Sequence, residues 1–371
     1  MKTVILAGAG HGHIQILSKL KSMNLNNLNI IVITNYSRQF YSGMLPGYIC
    51  GKYSIDDISF DVSKYCNNPN ISLYYDEIVE VNRYENYIRT MSNKFYYDFL
   101  SLNLGSKSIE SFGPERKSLQ YVKPIKNFSS LKDLEHIKRL LIVGGGASGV
   151  ELALSYRCKY KNLDITIVHS GNEILPRFNH RTRFICSKLL FDKNIKLILN
   201  KKIQKIEGKT AYFKDNKIDF DLAIVSTGVT GVDIKFTGFE VDEKNFLKVD
   251  NKLFACENVL AMGDMVHLKN FPNLPKVGVF AIKMTPILLN NLFYEIFNIG
   301  ELKHYIPQRY YLQILNTGDG NAILSYGFFA IYSRWAFKLK DFIDKNYMKG
   351  NLINQNPLKN KIRLNFYKNK L

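Results

Sequence analysis

Closely spaced cysteines are missing from this chain of 371 residues. Cys50, Cys66, Cys158, Cys186 and Cys256 are scattered and odd in number, so neighbouring thiols build neither a zinc site nor a dithiol redox centre. Reduced thiols inside a cell are expected. No apolar run reaches the roughly 18 residues that span a bilayer, and the apolar opening at residues 3–7 runs into glycines rather than a cleavage site. No translocation signal is visible, and a cytoplasmic location is expected. Helix-turn-helix signatures and interleaved aromatic strands of the RNA-binding kind are absent as well, so nucleic acid is not an expected partner.

Acids are in short supply: 32 Asp plus Glu face 51 Lys plus Arg, a net charge of +19. Such a surplus attracts anions, whether nucleotides or an acidic membrane surface, and charge alone does not choose between them. At 46% hydrophobic and 22% charged, the chain has globular composition, and its length suits two or three domains.

Two glycine turns organise the rest. Val4-Ile5-Leu6-Ala7 breaks into Gly8-Ala9-Gly10-His11-Gly12-His13 and then a helical stretch at residues 14–21. Gly8 permits a tight turn, and Gly10 lets backbone amides approach a pyrophosphate at the positive end of the helix. His13 stands where a third glycine usually packs helix on strand. The second copy, Leu140-Leu141-Ile142-Val143 followed by Gly144-Gly145-Gly146-Ala147-Ser148-Gly149, fills all three glycine positions, and an apolar strand follows at residues 164–168. Each half then ends alike: Asp98 opens an apolar strand that closes on Gly105, and Asp221 opens one that closes on Gly228, seven positions apart in both. Between turn and ending, alternating polarity at residues 71–91 and 195–213 predicts small antiparallel meanders. An internal repeat of two dinucleotide-binding units is the economical reading.

A further apolar strand, residues 258–262, ends in Gly263-Asp264. With it the chain resembles the flavoproteins with two dinucleotide-binding domains known as the pyridine nucleotide-disulfide oxidoreductase superfamily. The resemblance implies an α/β protein with two Rossmann-like, three-layer ββα domains, the second inserted in the first, plus a C-terminal α+β segment. An FAD domain would cover residues 1–110 and 246–305, an NADH or NADPH domain residues 111–245, and the C-terminal domain residues 306–371. Asp264 would bind the flavin's ribityl chain. Because no close cysteine pair exists and no cysteine follows Cys256, the chain is most similar to the branch without redox thiols, the type II NADH:quinone oxidoreductases. The segments 41–51 and 274–283 look like the subfamily associated with selenide, water dikinase.

The function so implied is transfer of electrons from NADH or NADPH through FAD to a quinone or another small-molecule acceptor. Two other readings stand beside it: reduction of a soluble acceptor in sulfur or selenium metabolism, and a slow flavin-dependent sensor. Reduced flavin carries negative charge that wants amide donors or a cation. Residues 277–281 read as a helix start, and the resemblance implies that Gly278 and Ala281 lie at the flavin edge, with Lys276 or Lys283 as candidate cations. Pro46 and Gly47 form a rigid, small-residue wall for a planar ring. By resemblance Glu151 faces flavin and nicotinamide and handles protons, although a carboxylate in a first helical turn is favourable anyway.

The acid that usually ends the second strand and grips a ribose is missing twice, at Thr34 and at His169. Those residues become the ribose candidates, and Arg177, Arg181 and Arg183 keep NADPH open. At the carboxy end, Ile331, Trp335, Leu339, Phe342, Ile343 and Tyr347 recur three or four apart over residues 328–349, and Arg334, Lys338, Lys340, Lys345 and Lys349 lie opposite. No acid follows Asp344, while Lys359, Lys361, Arg363, Lys368 and Lys370 do. The expectation is a helix lying on an anionic membrane at its cytoplasmic face, with docking onto the protein body as the alternative. A homodimer is compatible with all of this.

Overall fold

A computed structural model describes residues 1–124 and 133–349. The strand Lys2–Ala7, helix α1 (His11–Leu20) and the strand Leu28–Thr34 form a right-handed parallel unit. Continuous Val, Ile and Leu explain why these strands lie inside: both faces are covered, as a parallel sheet requires. The first sheet runs Phe254–Cys256, Val259–Ala261, Phe99–Leu102, Lys2–Ala7, Leu28–Thr34, Ile71–Tyr75, parallel except at Phe254–Cys256.

The second sheet is wholly parallel and runs Leu119–Tyr121, Leu222–Val225, Arg139–Val143, Asp164–Val168, Lys196–Ile198. Helix α3 (Ala147–Lys159) follows its glycine turn, and α4 (His180–Asp192) comes after the strand Asp164–Val168. The chain therefore leaves the first sheet after Phe99–Leu102, completes the second, and returns at Phe254–Ala261. The second fold is inserted in the first.

Meanders exist where alternation predicts them, with shifted membership. Ile71–Tyr75 and Lys196–Ile198 are the edge strands of the two large sheets. The meanders themselves are Ile78–Asn82, Tyr87–Thr90, Lys94–Tyr96 and Lys205–Glu207, Thr210–Tyr212, Lys217–Asp219. Alternation marks a half-exposed strand and does not say which neighbour it pairs with.

Helix α2 (Leu45–Ile49) crosses from the first fold and packs on α3, so Leu45, Tyr48 and Ile49 share one core with Leu152, Ala153 and Tyr156. A three-stranded antiparallel sheet, Gln313–Asn316, Ala322–Tyr326, Phe329–Ser333, leads into α6 (Arg334–Met348). Helix α5 (Gly278–Phe297) is the remaining long helix.

The C-terminal expectation needs correction. Residues 329–333 are strand, and helix begins at Arg334 behind a Ser333 cap that accepts from the Ala336 amide. The expected apolar stripe is split between two faces. Ala336, Phe337 and Tyr347 turn inward with Asp344 and Lys340, while Trp335 and Phe342 are 61% and 65% exposed. Spacing alone identifies the helix; buried ion pairing decides its rotation. The cations at 359–370 lie outside the described residues.

Candidate functional site

The first glycine turn is filled by its own neighbours. Gly8 has φ +82°, and a Cβ there would stand 2.5 Å from the Asn103 carbonyl oxygen. A Cβ on Gly10 would meet the Asn103 side chain at 2.7 Å, and one on Gly12 would meet Met262 Sδ at 2.2 Å. With its oxygen turned to the helix, the Asn103 carboxamide accepts from the amides of Gly12 (3.1 Å) and His13 (3.3 Å), satisfying two orphan donors of α1. Sequence reasoning passed over Asn103, although it holds the same place in the Asp98–Gly105 ending as Ser226 holds in the other half.

His13 is a correction. Its place in the glycine turn makes it a cofactor-binding candidate, yet its ring is fully buried and both nitrogens serve the protein: Nδ1–H donates to the Gly8 carbonyl (2.5 Å), and Nε2 accepts from Ser101 Oγ (2.8 Å). Burial pushes its pKa down to about 4, so it is neutral and braces the turn from beneath. His11, which begins α1, leaves Nδ1 buried and without a partner, amid Tyr41, Phe60 and Tyr347 rings at 5.3, 5.9 and 5.6 Å. Thr34 is buried too, its hydroxyl bonded to the Tyr36 amide (3.4 Å) and Gln39 Nε2 (3.3 Å).

The second turn is open. Gly144 takes φ +116°, a Cβ on Gly149 would lie 2.0 Å from the Gly144 carbonyl oxygen, and a Cβ on Gly146 would find no atom within 4 Å. His169 does reach this turn: its Nδ1 accepts from the Gly145 amide at 3.3 Å. The Gly228 carbonyl accepts from the Ile109 amide (3.1 Å) at the passage between the sheets. Arg177 and Arg181 are exposed, whereas Arg183 pairs with Glu173 at 2.7 Å.

At the C-terminal edge of the first sheet, Gly263 (φ +78°) turns the chain so that Asp264 and the start of α5 face one small cavity, lined also by Lys276, Val277 and Ala281. Gly105 and Gly278 have open space where a Cβ would go. Asp264 is paired with Lys123, whose ammonium also donates to Ser106 Oγ at 3.0 Å. Lys276 is directed elsewhere, onto the Val266 carbonyl and over the Phe246 ring, and Lys283 is exposed. Neither lysine forms an ion pair with Asp264, although Lys276 lines the same cavity and feels its charge. Pro46 and Gly47 are buried in α2, where a Cβ on Gly47 would stand 2.3 Å from the Tyr53 ring; close packing accounts for that glycine.

A third cluster joins the folds. Glu151, in the first turns of α3, accepts from the Asn316 amide at 2.7 Å. Burial pushes its carboxyl pKa up to about 7, against the pull of Lys340 and the Asn316 amide. Lys340 pairs with Asp344 at 2.9 Å, and Asp344 accepts from the Tyr41 hydroxyl at 3.1 Å, which links α6 to the His11 cluster. Burial and then Asp344 hold the Tyr41 hydroxyl well above its ordinary pKa. Nearby, the Tyr53 hydroxyl donates to Asp341 at 2.6 Å. The bond from Tyr41 to Asp344 escaped sequence reasoning because it spans about 300 residues, although Lys340 and Asp344 stand four apart on one helix.

The unpartnered His11 nitrogen, the open positions at Gly105 and Gly278 and the carboxylate at a sheet's C-terminal edge fit a bound dinucleotide in the first fold. Open Gly146 fits a second one. Two such folds in one chain are the arrangement of an oxidoreductase that passes electrons between dinucleotides. The chain belongs to the pyridine nucleotide-disulphide oxidoreductase family, whose model matches residues 2–284. Its cofactors are accordingly FAD and NAD(P)H.

Among its relatives is an NADH oxidase of Methanocaldococcus jannaschii, 29% identical over 339 residues, covering 81% of this chain and 74% of the relative. The fold is similar to that of NDH2 from Plasmodium falciparum in complex with NADH (TM-score 0.78, 16% identity, 95% of this chain and 98% of that one). It is also similar to the sulfide:quinone oxidoreductase of Aquifex aeolicus (TM-score 0.76, 17% identity, 99% and 96%).

Proposed function

We propose that this NAD(P)H-dependent flavoprotein oxidoreductase is a dehydrogenase that delivers electrons to a quinone-type acceptor without a redox-active disulfide. Bound FAD would supply the chemistry, taking a hydride and releasing two electrons. The protein's share is position and charge. The residue ranges 1–110 with 246–305 would hold FAD, 111–245 would hold NADH or NADPH, and 306–371 would be the C-terminal domain.

The observation that carries the reading is the buried Glu151 carboxyl, poised near neutrality where both folds and α6 meet. Quinone reduction consumes two protons, and a carboxyl with a pKa of about 7 accepts and gives one at working pH. Lys340 and Asp344 hold charge in place beside it, and Tyr41 carries the hydrogen-bonded chain toward α1. Amides around Gly10 that Asn103 leaves free, and those around Gly146, would grip the two diphosphates, while Gly278 and Ala281 at the start of α5 would face the flavin edge. Asp264 would bind the ribityl chain, and His169 would meet the nicotinamide nucleotide's ribose. The five cysteines are free, with no disulfide among them, which supports electron transfer without thiols.

An acceptor dissolved in lipid asks for an apolar landing face. Trp335 and Phe342 on α6 are exposed, as are Phe328 and Phe329 before it and Phe184 on α4. This rim would rest on an anionic membrane. No helix among the described residues is long and apolar enough to cross one.

The test is direct. Purified protein should show a flavin spectrum that NADH or NADPH bleaches, and a soluble quinone should restore the colour in many turnovers. Bleaching without reoxidation by any quinone removes the acceptor; absence of bleaching by either nucleotide removes the dehydrogenase. The membrane part is tested by Trp335→Ser with Phe342→Ser, which should lower binding to anionic vesicles with turnover on soluble quinone retained.

A further inference from the structure

The end of the strand Asp164–Val168 bears on the choice between NADH and NADPH. A carboxylate there accepts from the ribose hydroxyl of NADH. This chain has His169 instead, followed by Ser170. We propose that His169, with Lys201 and Lys202 beside it, reads the 2′-phosphate of NADPH, which makes NADPH the reductant. The inference rests on the second fold binding a nicotinamide nucleotide, as proposed above.

Hydrogen-bond direction carries it. Because the Gly145 amide donates to His169 Nδ1 (3.3 Å), that nitrogen is an acceptor already in use, and the hydrogen of the ring sits on Nε2. A donor is left where a carboxylate would accept. A ribose hydroxyl loses there the strong acceptor that selects NADH, whereas a phosphate has acceptors to offer and gains a partner. The ring is held at the turn: a Cβ on Gly145 would stand 3.0 Å from His169 Cγ, and one on Gly171 3.0 Å from Nε2, so glycines on both sides make room for it. Its backbone is tied to the edge strand, since the His169 amide donates to the Ile198 carbonyl (2.8 Å) and the Lys201 amide donates back to the His169 carbonyl (3.2 Å). Asn200, at φ +54°, makes the bend that brings two exposed lysines to this place. Lys201 Nζ stands 4.0 Å from Asp215, too far for a hydrogen bond, so its ammonium is available to an incoming phosphate. Glu173, the one acid of the loop after His169, is paired with Arg183 at 2.7 Å.

The test uses the full, FAD-loaded chain and two probes without a nicotinamide ring, adenosine 2′,5′-bisphosphate and 5′-AMP, titrated by calorimetry. Neither transfers electrons, so binding is read apart from turnover. The bisphosphate should bind about tenfold or more tightly than 5′-AMP. His169→Asp should abolish or reverse that preference, because it restores an acceptor and sets a negative charge against the phosphate. Lys201→Gln with Lys202→Gln should cut the preference severalfold and flatten its dependence on salt. Equal affinity for the two probes in the wild type, or an undiminished preference in His169→Asp, overturns the proposal. Should His169→Asp fail to fold, the lysine double variant decides, and an undiminished preference there overturns the proposal as well. A wild type that binds neither probe, and whose flavin neither NADH nor NADPH bleaches, would instead strike the nucleotide-binding reading of the second fold.

Discussion

The two glycine turns solve one problem by opposite means. Both hold their first glycine at positive φ, with its amide on the neighbouring strand: Gly8 on the Ile33 carbonyl (2.7 Å) and Gly144 on the Val168 carbonyl (2.8 Å). In the second turn, helix meets strand by removal of atoms, for Gly149 lies directly on Gly144. In the first, His13 occupies that place and replaces direct contact with two hydrogen bonds, and Asn103 caps α1 from outside. A motif lacking its last glycine is therefore not a weakened motif when a buried neutral imidazole spans the gap.

The sharpest way to break this comparison is to put a methyl where the second turn has none. Gly149→Ala should cost about 3 kcal/mol, the upper end for overpacking, because the obstacle is backbone. Chemical denaturation should show that loss, and NAD(P)H should no longer bleach flavin that stays bound; a variant as stable as wild type would mean the contact relaxes freely. His13→Gly, which installs the missing glycine in the first turn, should destabilise rather than improve it. Two buried hydrogen bonds and a cavity put the loss at about 2 kcal/mol, and an unchanged midpoint would show that His13 braces nothing.

A third test concerns pH. Glu151 has a folded pKa of about 7, above its ordinary 4.5, so the folded state binds more protons between these values. Its contribution to stability is best below the lower pKa and worsens as pH rises toward the upper one; above that the cost stays constant. Glu151→Gln should flatten this slope and abolish the limb near pH 7 in quinone turnover. Lys340→Met should move that limb to higher pH by removing the charge that opposes the shift. A limb that survives Glu151→Gln unmoved would assign it to another group.

The smallest effect compares the paired endings. Asp98 accepts from one amide, Thr3 (2.7 Å), whereas Asp221 accepts from Lys138 and Arg139 amides and from the Arg139 guanidinium. Asp221→Asn should cost about 1 kcal/mol more than Asp98→Asn in thermal or chemical melts. Equal losses would show that the extra partners add nothing.

How much of this could be read beforehand follows from where each constraint acts. The turns at Gly8 and Gly144 and the Asp98 and Asp221 endings answer to backbone demands a few residues long, and the chain displays them openly. The insertion of one fold in the other is legible only through the family resemblance that the strand ending in Gly263-Asp264 completes. Lys123, Tyr41 and Asp344 acquire meaning only when segments far apart come together, and no periodicity announces such meetings. Helix α6 shows the limit well: spacing locates it, while the burial of Lys340 with Asp344 turns it away from the face that apolar residues alone would choose.

The return strand Val259–Ala261 sets an order of events at the ribosome. Phe99–Leu102 must wait while about 160 further residues are made before its outer edge gains a partner. During that interval the nascent first fold displays an unpaired row of amides and carbonyls, the kind of edge on which chains misassociate. Prompt closure of the inserted fold, which needs only its own contiguous sequence, brings the delayed strand into reach and shortens that exposure.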